Sequence, residues 1–264
     1  MKNLWDITGK VAVVIGGGGG IGGAIAKGFA FSGANVVITG RTQATLEETA
    51  GKIFEETGKR VTCMTADSTN VESVEVLCKA VVEQFGTVDI LVNSQGFNKK
   101  FPAQDALEHL DEWDDMYATN VKSIMICCNV FGKVMIEKKY GKIINITSIR
   151  GAHALKGPGN IGYGSTKGAV DMLTKYLAGE WGRYNITVNA IGPIATWTPM
   201  MLKMGPPPEI IEKINNEFAE KVPMCRWAES DDNIGPALFL ASDASGFVTG
   251  QIIYPDGGLH CIGG

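Results

Sequence analysis

The stretch that most restricts this chain lies near its start, where the apolar run Lys10-Val-Ala-Val-Val-Ile15 passes directly into Gly16-Gly-Gly-Gly-Gly-Ile-Gly22. A short, unbroken run rich in β-branched residues reads as a strand buried on both faces. Beyond the glycines, Ile21, Ala24, Ile25, Gly28 and Phe29 recur at helical spacing, and Gly33 closes the helix. A strand that turns through bare glycine into a helix aims free backbone N–H groups outward at the positive end of the helix dipole, which suits a phosphate. Gly16 permits the tight turn, Gly20 lets a phosphate approach the backbone beside Ile21, and Gly22 lets helix and strand pack closely. No Lys-Ser or Lys-Thr follows, so the loop is not of the ATPase or GTPase kind.

The same alternation runs to the end of the chain. Further strands are expected at Asn35–Thr39, Arg60–Thr65, Val88–Val92, Gly141–Thr147, Asn185–Asn189 and Gln251–Tyr254. Helices are expected near Gln43–Thr57, Val71–Phe85, Gly162–Trp181 and Asp231–Ala241, with one long or broken helical region from Leu110 to Lys139. The expectation is an α/β fold, a three-layer αβα sandwich around a Rossmann-like, doubly wound parallel sheet of about seven strands. All 264 residues read as a single domain, with a lid over about 192–223 that carries proline, methionine and tryptophan. A net charge of −4 without a basic block speaks against nucleic acid as a partner. No apolar stretch approaches the ~20 residues that cross a bilayer. The first residues lack the apolar core of a signal peptide, so a cytoplasmic protein with six reduced cysteines is expected. There is no C-x-x-C, and His109, His153 and His260 are scattered, so no metal site is expected.

A dinucleotide fits these features better than a lone phosphate. The second strand ends in Gly40-Arg41-Thr42, with no acidic residue to meet a ribose 2′-hydroxyl. The planar fork of Arg41 suits a 2′-phosphate, which favours NADP(H); if Arg41 is only solvated, NAD(H) is the alternative. Asp67-Ser68 follows the third strand at the adenine edge, and Asn93-Ser-Gln-Gly96 follows the fourth on the ribose side. Chemistry is suggested by Tyr163-Gly-Ser-Thr-Lys167, since residues four apart share a helix face and a nearby cation favours a phenolate. Moving a phenol from pKa ~10 to near 7 needs about 4 kcal/mol of differential stabilisation. Such a tyrosine serves as acid to a carbonyl or base to an alcohol. Ser148 stands just past the fifth strand, at the edge where open α/β sheets bind ligands, and its hydroxyl is placed to hold a substrate oxygen.

Taken together, these residues resemble the short-chain dehydrogenase/reductase family over nearly the whole chain. The matching pieces are Gly16-x-x-x-Gly20-Ile-Gly22, Asp67, Asn93-x-x-Gly96, Asn120, Ser148, Tyr163-x-x-x-Lys167, Asn189, Pro193, Thr198, Thr249-Gly250 and Asp256-Gly257-Gly258. The resemblance implies that Tyr163 is the acid/base, that Lys167 holds the nicotinamide ribose and lowers the tyrosine pKa, and that Ser148 orients the substrate. It further implies that Asn120 supports a proton-relaying water, that Thr198 meets the nicotinamide carboxamide near Pro193, and that the protein is a homotetramer. The chain departs from the family at Ile15, where threonine is usual, at Gly19, where NADP(H)-binding members often carry a basic residue, at Ser94-Gln95, and at Gly192-Pro193-Ile194.

Within the family, Gly96-Phe-Asn-Lys-Lys-Phe-Pro102, with Trp113 beyond, is similar to the gluconate 5-dehydrogenase-like (5-keto-gluconate reductase) branch, where basic residues here hold a sugar-acid carboxylate. Lys99, Lys100, Arg150, His153 and Trp197 are the substrate-wall candidates. Trp197, Met200, Met201 and Met204 equally make an apolar, adaptable lid suited to a hydroxysteroid or cyclic alcohol. An enoyl or dienoyl thioester reductase and a noncatalytic nucleotide-binding protein are the rival classes. The first would place its tyrosine differently, and the second would have lost Tyr163 or Lys167.

Overall fold

The computed structural model describes residues 3–154, 157, 159–197, 209, 212, 216 and 219–262. In chain order its main elements are β1 (Val11–Ile15), α1 (Gly20–Phe31), β2 (Asn35–Gly40), α2 (Gln43–Thr57), β3 (Thr62–Thr65), α3 (Val71–Phe85) and β4 (Ile90–Asn93). There follow α4 (Leu110–Tyr117), α5 (Ser123–Lys138), β5 (Gly141–Ile146), α6 (Ile161–Trp181) and β6 (Ile186–Ile191). The described chain ends through β7 (Thr196–Trp197), β8 (Ala228–Glu229), α7 (Ile234–Ala241) and β9 (Ile252–Ile253).

Seven strands form one parallel sheet in the order β3-β2-β1-β4-β5-β6-β9. The period of two along β1 sorts its side chains into two cores. Val11, Val13 and Ile15 join Leu77 of α3, Phe131 of α5 and Val170 of α6. Ala12 and Val14 join Phe29 of α1, Leu46 of α2 and Leu240 of α7 on the other face. Helices therefore cover both faces, as a sheet apolar on both sides requires. Successive strands run outward to β3, then resume at β4 on the other side of β1. That reversal opens a crevice at the carboxyl ends of β1 and β4, the place where such sheets bind ligands.

One expected irregularity is found and one element is new. The region from Leu110 to Lys139 is indeed broken, by a π turn at Ala118–Lys122 between α4 and α5. The short pair β7–β8 was not expected, because two-residue strands carry no periodicity to read. Of the lid expected over 192–223, residues 198–208 and much of 210–218 lie outside the described residues, including Thr198, Met200, Met201 and Met204.

Candidate active site

The glycine loop is shaped by contacts that exclude side chains. Gly16 takes a φ of +75°, and a Cβ there would stand 2.8 Å from the Gln95 backbone nitrogen. A Cβ on Gly22 would run into the Gly16 carbonyl oxygen. Helix α1 starts at Gly20 behind its N-cap Gly19, both at positive φ, with no side-chain cap and no acid in its first turn. Its leading N–H groups are thus left for an anion, while Ile21 packs down onto the core. The loop fits a dinucleotide's phosphates in shape and in field.

Two ledges flank this loop. On one, Arg41 and Thr42 are exposed at the end of β2, with Thr42 at the start of α2. Asp67 accepts hydrogen bonds from the backbone N–H and hydroxyl of Thr69, at 2.9 and 2.7 Å, beside half-buried Ser68. Those bonds hold its carboxyl below the usual range, with a smaller pull from the Arg41 charge. On the other ledge, Gly96 lies over the reactive groups. A Cβ at Gly96 would stand 3.2 Å from Asn120 Oδ1 and 3.5 Å from Lys167 Nζ. Bare backbone at Gly96 therefore lies close against Asn120 and the lysine.

Asn93 is fully buried at the end of β4, where its side chain donates to Asn145 Oδ1 (2.9 Å) and Cys128 Sγ (3.3 Å) and so ties β4 to β5. Asn145 in turn donates to Thr174 of α6 at 3.0 Å. A position at a strand's carboxyl end can serve both as a core tie and as a rim contact.

Asn120 sits inside the π turn, fully buried. Its Oδ1 accepts from Phe97 N–H at 2.9 Å, and its Nδ2 donates to the Phe97 carbonyl at 2.9 Å and to Thr166 Oγ1 at 3.1 Å. Both amide donors are thus committed to holding the Gly96–Phe97 loop onto α6. Thr166, one residue before Lys167, is a partner that the sequence gave no reason to choose.

Ser148 begins a tight 3-10 turn, Ile149–Gly151, that lies flat along α6. Three glycines allow this: a Cβ on Gly151 would stand 2.9 Å from the Lys167 backbone, one on Gly164 3.4 Å from the Arg150 carbonyl, and one on Gly168 3.4 Å from the Gly151 carbonyl. Ser148 Oγ accepts from Arg150 N–H at 3.2 Å, and the Pro193 carbonyl accepts from Ile149 N–H at 3.1 Å. Ser148 Oγ donates to the Pro193 carbonyl at 3.4 Å, and its hydroxyl opposes the rise of the Tyr163 pKa.

Lys167 is 3% exposed, donates to the Ile146 carbonyl at 2.8 Å, and lies 5.6 Å from the centre of the Tyr163 ring. Burial pushes its pKa down to about 8, against the attraction of Asp171 one turn further on. Burial likewise pushes the Tyr163 phenol up, opposed by the Ser148 hydrogen bond and by the charge of Arg150. In the protein alone, desolvation thus outweighs the lowering that the sequence expected, and the cation pulling against it is Arg150.

The substrate candidates fall into three groups. Lys99 and Lys100 are exposed on the loop after β4, where Asn98 donates to Asn160 at 3.3 Å and a Cβ on Gly159 would meet Lys100 at 3.3 Å. They belong to a rim shared with the start of α6. His153 continues the turn after Arg150 and shares a 2.7 Å hydrogen bond with His260. Trp197 lies in the small β7–β8 sheet, 4.9 Å from the ring of Trp227, and so supports the lid's base. Among the described residues no cluster of His, Cys, Asp or Glu could hold a metal, and no helix is long and apolar enough to cross a membrane.

A parallel sheet with a glycine cradle at its reversal, and a tyrosine, serine and lysine converging beside it, defines a dinucleotide-dependent oxidoreductase. Residues 16–260 match the family model described as Enoyl-(Acyl carrier protein) reductase. The chain is 34% identical over 257 residues to gluconate 5-dehydrogenase of Gluconobacter oxydans (strain 621H), covering 97% of each. It is 34% identical over 254 residues to 3-oxoacyl-[acyl-carrier-protein] reductase FabG of Chlamydia trachomatis serovar D, covering 96% of this chain and 98% of that relative. The crystal structure of a gluconate 5-dehydrogenase from Burkholderia cenocepacia J2315, in complex with NADP and tartrate, superposes with a TM-score of 0.87 at 32% identity, covering 98% of each chain. The chain belongs to the short-chain dehydrogenase/reductase family.

Proposed function

We propose that this enzyme interconverts a secondary alcohol and a ketone using NADP(H), on a small sugar acid of the gluconate/5-keto-gluconate kind. The observation that carries the reading is the convergence of Ser148, Tyr163 and Lys167 on one packed surface, with Gly96 lying against Lys167. The substrate class is supported by the exposed Lys99-Lys100 pair at the rim, which suits a carboxylate, and by similarity to gluconate 5-dehydrogenases. The cofactor choice is supported by the exposed Arg41 just past β2, where the strand end itself carries no acid, and by the NADP complex of a relative.

The bound nicotinamide supplies or accepts the hydride. Everything else falls to the chain. Ser148 holds the reacting oxygen, and Tyr163 gives it a proton in reduction or takes one in oxidation. Lys167 would hold the ribose, and Asn120 keeps the Gly96–Phe97 loop in place beside it. Arg41 and Thr42 meet the adenosine side, with Asp67 and Ser68 at the adenine edge. Pro193 and Thr198 complete the nicotinamide side in this proposal. As one unit with a lid, the chain assembles as a homotetramer, for which Met125, Met172 and Tyr176 supply exposed apolar surface.

A carbonyl panel followed at 340 nm with both cofactors tests the reading, including 5-keto-gluconate, cyclic and steroidal ketones, and an enoyl thioester. NADPH-dependent reduction of 5-keto-gluconate is expected. Reduction of the carbon–carbon double bond with every ketone untouched would replace the proposal with the enoyl reductase suggested by the family model's description.

A further inference from the structure

His153 and His260 are 107 residues apart in the chain, yet His153 Nε2 and His260 Nδ1 share a hydrogen bond of 2.7 Å. Their rings meet edge to face, with centroids 4.2 Å apart and planes at 81°. One side of the contact belongs to the catalytic turn. The His153 N–H donates to the Ile149 carbonyl at 2.9 Å and so extends the turn that Ser148 begins. The other side belongs to the C-terminal tail. Both carboxylate oxygens of buried Asp256 accept from that tail's backbone, from Gly258 N–H at 2.9 Å and His260 N–H at 2.7 Å. The Gly257 carbonyl accepts from Met224 N–H at 3.1 Å, which rests the tail on the chain that follows the lid.

A second path runs beside the first. The ring of Tyr254 lies stacked on His260, with centroids 4.6 Å apart and planes at 13°. A Cβ on Gly192 would stand 2.5 Å from Tyr254 Cε1 and 3.4 Å from the Ser148 carbonyl carbon, so bare backbone lets Tyr254 close on the turn. His260 thus reaches the Ser148 turn through the edge of His153 and through the face of Tyr254. Both histidines are exposed. Exposed side chains gain little from one hydrogen bond unless their backbones have already aimed it, and here both backbones are tied.

We propose that His260 is a positioning residue for substrate binding, which holds His153 and with it the Ser148 turn against the C-terminal tail, and which lets go when both rings carry a proton. A bond between two imidazole nitrogens needs one to donate and the other to accept. The neutral pair meets that condition, and so does the pair with one added proton. With two added protons, N–H faces N–H and two positive charges meet. On the turn side the other titratable groups are Arg150 and, across Gly151 on α6, Lys167 and Asp171. On the tail side they are Tyr254, Asp256 and Cys261. The inference rests on Ser148 holding the reacting oxygen, as in the proposed function, and not on which ketone reacts.

Two variants separate the bond from the stack. His260→Phe keeps a ring against Tyr254 and removes the nitrogen. His260→Asn keeps a polar group near the place of Nδ1 and does not titrate. In NADPH-dependent reduction at about pH 8, His260→Phe should raise KM for 5-keto-gluconate about fivefold, the worth of one ordinary hydrogen bond. Its kcat and its NADPH affinity by fluorescence should stay within about twofold of the wild type. Between about pH 8 and about pH 5, the range in which imidazole takes up its proton, the wild-type KM should climb to the His260→Phe value. KM should stay flat and high in His260→Phe, and flat and low in His260→Asn. One common KM profile for all three proteins would overturn the proposal, as would a loss in His260→Phe confined to kcat. Hydrogen–deuterium exchange at about pH 8 reads the same contact without substrate. Amides of the 149–153 turn should exchange about fivefold faster in His260→Phe and at the wild-type rate in His260→Asn, and equal rates in all three would overturn it. Should 5-keto-gluconate not be reduced at all, the substrate assignment fails while the exchange rates still decide the role of His260.

Discussion

The two ledges beside the glycine loop are built in opposite ways. On the catalytic ledge, Asn120, Ser148 and Lys167 are buried, and each is held by contacts from at least one other element. On the adenosine ledge, Arg41 and Thr42 stand exposed at the start of α2. Groups that must act at fixed distances are over-determined by packing, whereas the group that selects between two cofactors is left in water. A side chain of the second kind can be exchanged without disturbing the sheet, and one of the first kind cannot.

The largest test of this contrast is at the phenol. Tyr163→Phe removes one hydroxyl, and kcat is expected to fall by about 10²–10⁴-fold, with NADPH binding by fluorescence near that of the wild type. Retention of most of the rate would remove Tyr163 from the acid/base role. Next comes Asn120→Leu, which strands the half-buried Phe97 N–H and carbonyl and removes one partner of the Thr166 hydroxyl, which still donates to the Tyr163 carbonyl. Urea unfolding should show a loss of about 2–4 kcal/mol, and a loss no larger than for an exposed residue would show that the loop is held by other means.

Lys167 gives a pH test. Its folded value of about 8 lies below the ordinary 10.5, so between those values the unfolded chain binds the extra proton and stability rises with pH. This contribution is fully present above the unfolded value and is lost as pH falls through about 8. Relative to Lys167→Met, the wild type should gain on the order of 2–3 kcal/mol across that window. Parallel stability curves for the two proteins would mean that the ammonium is better solvated than its burial implies. The smallest effect is expected on the exposed ledge. Arg41→Ala should weaken NADPH binding about tenfold, the lower end for a charge-assisted contact, with NADH binding and urea midpoint nearly unchanged. Equal small effects on both cofactors would leave Arg41 as a solvated surface residue.

Much of the fold was legible because a doubly covered parallel sheet writes its strands as unbroken apolar runs, and amphipathic helices such as Gln43–Thr57 and Val71–Phe85 fill the intervals. The converging residues were legible as a set, since Ser148, Tyr163 and Lys167 stand at strand ends and helix spacings that this topology gathers. What was not legible depends on side-chain direction. Asn93 turns into the core, Trp197 pairs with Trp227, and Arg150 turns inward with no ion pair among the described residues, yet each is a plain polar or aromatic residue in its segment. Asp171, four residues after Lys167, carried a signal in its helical spacing that only its burial makes meaningful.

The π turn at Ala118–Lys122 carries one more consequence. A π turn holds one residue more than the α-helix around it would need. Deleting a residue there would let α4 and α5 heal into one regular rod, with better hydrogen-bond geometry and without the offset that aims Asn120 at Phe97. The most regular helix this chain could form is therefore not the working one. The irregularity is a place where a sturdier protein and an active one part company.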